Sequence, residues 1–166
     1  MNYEIIELEE FSGNKTTIYS VVMAGDDYSL FDYFLQENKD EYNDEIKSII
    51  NRLEEINYHK GARDNFFRLA EGKLGDGVCA LYDDPESKLR LYCIKYGSVA
   101  IILGSGGPKP PEIHAWQEDE KLKYEAETMI TISKNITNRL VSGELQWTED
   151  GYKLTGNLIF NDDDNE

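Results

Sequence analysis

The sequence predicts an α+β protein: a central antiparallel sheet with helices packed on it, plus an N-terminal β-hairpin and a C-terminal β-hairpin. Three observations predict it. Two β-rich runs flank the turn-forming SGNK at the start of the chain. Apolar residues then fall into three-and-four spacing over two long stretches, the mark of amphipathic helices. Between those stretches lie four short β-rich segments punctuated by glycine, and Asp150-Gly151 sits between alternating residues near the end.

The elements follow in order. YEIIELEEF and TTIYSVVMAG form the first hairpin, over residues 1–25. Phe31, Phe34 and Leu35 give a short helix ending near Asn38. Tyr42, Ile46, Ile49, Ile50, Leu53 and Ile56 give an amphipathic helix over Glu41–Ile56, with Asp40 as its N-cap and YHKGARD as its end. Strands are expected at Phe66–Glu71, Gly77–Tyr82, Leu89–Tyr96 and Val99–Leu103. Gly97 supplies the tight turn between the last two. GSGGPKPP then ends the sheet, because proline cannot donate to a ladder and glycine loosens the chain. A second long helix runs from about Glu118 to Val141. Leu122, Ala126, Met129, Ser133, Ile136 and Leu140 form its inner stripe, and Gly143 stops it. Residues 143–161 close the chain with the second hairpin, and 162–166 form a short acidic tail. The whole of 1–166 reads as one domain with its core at 28–141.

Composition bounds the partners. Forty per cent hydrophobic and 11% aromatic residues suffice for a core. Seventeen Lys+Arg against 33 Asp+Glu give a net charge of −16. Such a charge repels phosphate backbones, so the chain is not expected to bind DNA by itself, and RNA would need a local basic patch. MNYEIIELEE carries acids where a signal peptide would be basic, and no apolar run approaches the ~20 residues that span a bilayer. Two cysteines make no disulfide framework. A cytoplasmic protein with reduced thiols and no membrane partner is expected.

Several chemistries fall away on spacing. GSGGPKP matches neither a P-loop nor a dinucleotide fingerprint. His59 and His114 lie far apart, and neither has a metal ligand at a recognised spacing, so no metal or cofactor is expected. His59 reads as a helix-end residue and His114 as an exposed loop residue. Cys79 and Cys93 fall almost opposite each other if their strands form a hairpin around Pro85-Glu86; two small buried hydrophobes are expected rather than a redox pair. Acidic runs such as EDEKLKYEAE belong to solvated helix faces. Basic residues are scarce, and Arg68, Lys73, Lys88, Arg90, Lys95 and Lys109 all fall in the central sheet or its connections. Guanidinium groups close together on one sheet face bind phosphate oxygens bidentately, with a plain ion pair as the alternative for each.

The order of elements resembles that of the RelE/ParE/HigB toxin superfamily over roughly residues 28–140. FFRLAEGKLGDGVCALY resembles that family's first two sheet strands, where a basic residue and leucine precede a glycine-rich turn and a strand opening on GDG. KLRLYCIKYGSVAIILGSGGPKP resembles its next hairpin, in which arginine, an aliphatic and tyrosine start one strand and an aliphatic strand runs out to basic residues. A helical Val99–Leu103, or neighbours paired with it in parallel, would remove the basis of the resemblance.

The resemblance implies a toxin component neutralised by an antitoxin protein. Ribosome-dependent members cut mRNA by setting a 2′-hydroxyl against the adjacent phosphate, with basic residues stabilising the developing charge. Arg90 matches the family's central strand arginine, Lys109 the basic residue after the last strand, and Arg68 the basic residue on the first. Tyr124 in KYEAE matches the family's helical tyrosine, at a longer spacing. Two features differ. The lysines that some members carry on the GVCALY strand are Cys79, Ala80 and Leu81 here, and the family's basic character is reversed. The expected function is a ribosome-dependent mRNA endonuclease. The alternative is a catalytically silent protein-binding module of the same fold.

Overall fold

A computed structural model describes residues 1–69, 71–73, 75–81, 87–109 and 119–161. His114, the Pro85-Glu86 turn and the acidic tail lie outside the described residues. Two strands open the chain, β1 (Tyr3–Glu7) and β2 (Thr17–Met23), paired antiparallel from Tyr3↔Met23 to Glu7↔Tyr19. Helix α1 (Leu30–Asn38) follows. Ser29 caps it in a capping box with Asp32, so its first amides are satisfied reciprocally.

Helix α2 (Asn43–Glu54) runs on into a π-helical turn, Glu55–Lys60, which Gly61 stops at φ +76. The expected cap is corrected: Tyr42, not Asp40, holds the N-cap position. The Tyr42 amide donates to the Asn38 carbonyl, so the chain coils from α1 almost directly into α2 and takes Asp40 into the connection.

A meander follows: β3 (Phe67–Arg68), β4 (Val78–Leu81), β5 (Leu89–Tyr96) and β6 (Ala100–Pro108), each antiparallel to the next. Gly97 makes the β5–β6 turn at φ +54. Strand β3 is shorter than expected because a 3-10 turn, Asp64–Phe66, occupies its start. Strand β6 is longer. The glycine-rich GSGGP does not leave the sheet but forms its second half, because these positions have no room for side chains. A Cβ at Gly104 would lie 2.5 Å from the Met129 sulfur, and one at Gly106 would strike the carbonyl of Arg90.

The sheet has seven strands among the described residues, in the order β3-β4-β5-β6-β2-β1-β9. It is mixed rather than wholly antiparallel, since β2 pairs with β6 in parallel from Thr17↔Ala100 to Ser20↔Leu103. The physical reason is edge satisfaction. The meander would end on an open β6 and the N-terminal hairpin on an open β2, and joining them satisfies both rows of backbone groups.

Helix α3 (Glu120–Ser142) starts on an Asp119 cap and stops at Gly143, φ 86. Beyond it, β7 (Leu145–Trp147) and β8 (Leu154–Gly156) form a separate two-stranded sheet, and β9 (Ile159–Phe160) joins the edge of the main sheet beside β1. Asp150-Gly151 lies in a longer loop between β7 and β8, closed by the Thr148 amide on the Lys153 carbonyl, and not in a two-residue turn. Buried Arg139 of α3 holds β9 down: it donates to the carbonyls of Asn157 and Ile159 and lies over the Phe160 ring, 3.7 Å from its centre.

Alternation divides the core. Val78, Ala80, Tyr92, Ile94 and Ile102 face α3, packed on Leu122, Ala126, Met129, Ile132 and Ile136. Cys79, Leu81, Leu91, Cys93 and Ile101 face Phe31, Phe34, Ile49, Leu53 and Ile56 of α1, α2 and the π turn. Cys79 and Cys93 are direct cross-strand partners, free and buried, with sulfurs 3.5 Å apart.

Candidate functional site

Strand register gathers the scarce cations. Residues directly opposite in neighbouring strands share a face, as do residues two apart along one strand. Arg68 pairs with Ala80, Ala80 with Tyr92, and Arg90 with Gly107. Arg68, Arg90 and Tyr92 therefore stand on the α3 side of the sheet. The Lys109 amide extends the ladder beyond Pro108 by donating to the Lys88 carbonyl at 2.7 Å. The result is a small, shallow cleft of about 20 Å³, open on one side and lined by Arg68, Ala80, Leu81, Ser87, Leu89, Arg90 and Lys109. Three of the four residues expected at a site meet there. Tyr124 does not line this cleft; it stands on α3, 66% exposed.

The three cations differ in environment. Arg68 is half-exposed and its Nε lies 2.7 Å from the carboxylate of buried Glu71. Lys109 is half-buried. Arg90 is only 6% exposed and has no carboxylate partner among the described residues. A buried guanidinium without a carboxylate in contact is costly, so this position favours an incoming anion. The Glu71 carboxylate, held by Arg68, is the charge that also acts on the neighbouring Tyr92.

Two residues along the same face from Arg90 stands Tyr92, fully buried, whose hydroxyl makes no hydrogen bond among the described residues. The Arg90 guanidinium is close to it, in a contact that falls short of a full hydrogen bond. Burial pushes the phenol up to about 12, and Arg90 draws it partly back, so the hydroxyl keeps its proton at neutral pH.

The start of β5 is pinned from the other side of the sheet. One carboxylate oxygen of Glu45 in α2 accepts from the Ser87 hydroxyl at 2.9 Å, the Lys88 amide at 2.6 Å and the Leu89 amide at 3.2 Å. That contact fixes the strand end that carries Arg90. On the remaining side, the Lys121 stem passes over Gly107, where a Cβ would lie 3.1 Å from its Cε. Lys95 is turned away, its ammonium on Asp64 at 2.8 Å and the Gly97 carbonyl at 2.6 Å.

Sequence reasoning missed Glu71, Tyr92, Ser87 and Glu45. Tyr92 was within reach, two residues from Arg90 in one strand. Glu71 was not, because its contact with Arg68 arises only where β3 breaks off early. Among the described residues no group of three or more His, Cys, Asp or Glu could hold a metal ion, and no helix is long and apolar enough to cross a membrane. No protein-family model, curated protein or solved structure matches the chain.

Proposed function

We propose that the cleft binds a phosphodiester of RNA, and that the protein is a ribosome-dependent mRNA endonuclease of RelE/HigB type, neutralised by an antitoxin protein. The observation that carries this is the convergence of Arg68, Arg90 and Lys109 on one cleft of a chain with a net charge of −16. The local basic patch that RNA binding requires is present where the overall charge opposes it. In this chemistry the 2′-hydroxyl attacks the adjacent phosphorus, the bond to the 5′-oxygen breaks, and a cyclic phosphate and a 5′-hydroxyl result. Arg90, Lys109 and Arg68 stabilise the charge that builds on the phosphoryl oxygens.

Support comes from the cleft rather than from topology. The parallel β2–β6 pair at Ala100–Leu103 removes the topological basis of the resemblance, even though β5 on the other side of β6 pairs antiparallel, so the reading stands on the cleft alone. A second reading is favoured by the lining itself. Among the described lining residues none is a carboxylate or an imidazole, so none is ready to take the proton of a 2′-hydroxyl. That favours a catalytically silent binding module.

The deciding experiment is induced expression, with ribosome-bound mRNA mapped for cuts by primer extension. Growth arrest and new 5′ ends that vanish in Arg90→Ala and Lys109→Ala are expected. Wild-type expression with neither arrest nor cleavage would remove the endonuclease and leave the binding module.

A further inference from the structure

We propose that Tyr92 is the positioning residue of the cleft, its buried hydroxyl holding the Arg90 guanidinium toward a bound phosphate. The inference rests on reading the cleft as a phosphate site, but not on RNA being cut there.

The ring of Tyr92 is fixed. It is fully buried among Val78, Ala80, Ile94 and Met129, and the register between β5 and β6 shifts at this residue. Leu91 pairs with Gly106 and Cys93 with Leu103, so β6 sets Gly104 and Ser105 against Tyr92 alone. Its hydroxyl is therefore held at a set place close to the guanidinium, while Arg90, two residues along the same face, has a long flexible side chain. Arginine carries only donors, whereas a phenol oxygen also accepts. A neutral phenol next to the guanidinium is thus suited to fix which of its N–H groups turn outward.

A purely structural role does not account for the hydroxyl. With no partner among the described residues, it burdens the core in a way that phenylalanine at the same place would not. Ser105, set across the bulge from Tyr92, carries a second buried hydroxyl without a partner there. Two buried hydroxyls without partners among the described residues, in register with an arginine that has no carboxylate partner there, mark a place arranged for a polar occupant.

The test is a double-mutant cycle on binding of inorganic phosphate, measured by calorimetry, with wild type, Tyr92→Phe, Arg90→Gln and the double variant. Loss of the orienting contact, drawn into a hydrogen bond when phosphate is bound, should weaken phosphate binding by about fivefold to tenfold in Tyr92→Phe. The same change should do nothing in the Arg90→Gln background, because the hydroxyl acts through Arg90. Melting of Tyr92→Phe in phosphate-free buffer should match or exceed wild type. Equal phosphate affinity in wild type and Tyr92→Phe overturns the proposal. So does an undiminished effect of Tyr92→Phe in the Arg90→Gln background, a lowered melting temperature without phosphate, or a wild type that binds no phosphate. A protein that shows the coupling but cuts no mRNA would sink the endonuclease and leave the role of Tyr92 intact.

Discussion

Arg90→Ala separates an anion site from an ordinary ion pair by stability alone. Arg90 is 6% exposed, so truncation removes two buried methylenes beyond Cβ together with the guanidinium. The methylenes cost about 1.6 kcal/mol at roughly 0.8 kcal/mol each. Against that, the variant no longer desolvates a charge that lacks a carboxylate partner among the described residues, a relief of up to several kcal/mol. It also ends the repulsion from Arg68 and Lys109, which line the same cleft. The opposing terms leave a net change within about 2 kcal/mol of zero, or within about 8 °C in melting temperature at roughly 2–4 °C per kcal/mol. If Arg90 instead serves an ion pair, its loss strands the partner and costs about 3–5 kcal/mol, a fall of roughly 6–20 °C. Phosphate sharpens the contrast. Ligand at 100 times its dissociation constant stabilises wild type by about 2.7 kcal/mol, and Arg90→Ala should gain almost none of it. Calorimetric melts with and without phosphate read both quantities. A deep fall in melting temperature, with the phosphate gain preserved, would refute the reasoning.

Three further outcomes follow from the packing. Gly106→Ala should destabilise by about 3 kcal/mol or more in urea titration, since a Cβ would strike the Arg90 carbonyl and lie 2.8 Å from its carbon, and backbone cannot yield as a flexible side chain can. A variant as stable as wild type would mean that β6 does not pass so close to β5. Free-thiol titration of native protein should be slow and incomplete, roughly a hundredfold or more below the denatured rate, because Cys79 and Cys93 are buried and burial pushes the Cys93 thiol up. Rapid labelling of either sulfur would instead expose a reactive cysteine. Glu125→Gln should stabilise the protein at pH 7 and lose that advantage on acidification. Burial raises the Glu125 carboxyl despite Lys121 beside it, so its favourable contribution is full below the ordinary carboxylate range and is lost as pH rises through the folded value. Equal gains at pH 7 and pH 4 would exclude ionisation as the cause.

The sequence alone determined the elements whose signals are local. Three-and-four spacing marked α2 and α3, Gly143 marked the end of α3, and alternation with Gly97 marked the β5–β6 hairpin, because helix periodicity and positive φ are properties of neighbouring residues. Alternation also let Arg68 and Arg90 be assigned to the sheet, and scarcity of positive charge singled them out with Lys109. Tertiary structure decided what depends on partners far along the chain. No local signal tells β2 to lie parallel to β6, since a strand's edge is satisfied by whichever strand the fold delivers. GSGGP reads as a loop by composition and becomes strand because Met129, the Arg90 carbonyl and the Lys121 stem crowd it from other elements. The cleft is of the same kind. Its cations come from β3, β5 and the residue after β6, Glu45 reaches β5 from a helix 42 residues upstream of Ser87, and Glu71 meets Arg68 only where β3 stops. Residue types are written in the chain; which of them share a few ångströms is fixed by register, and register is settled only when the whole sheet assembles.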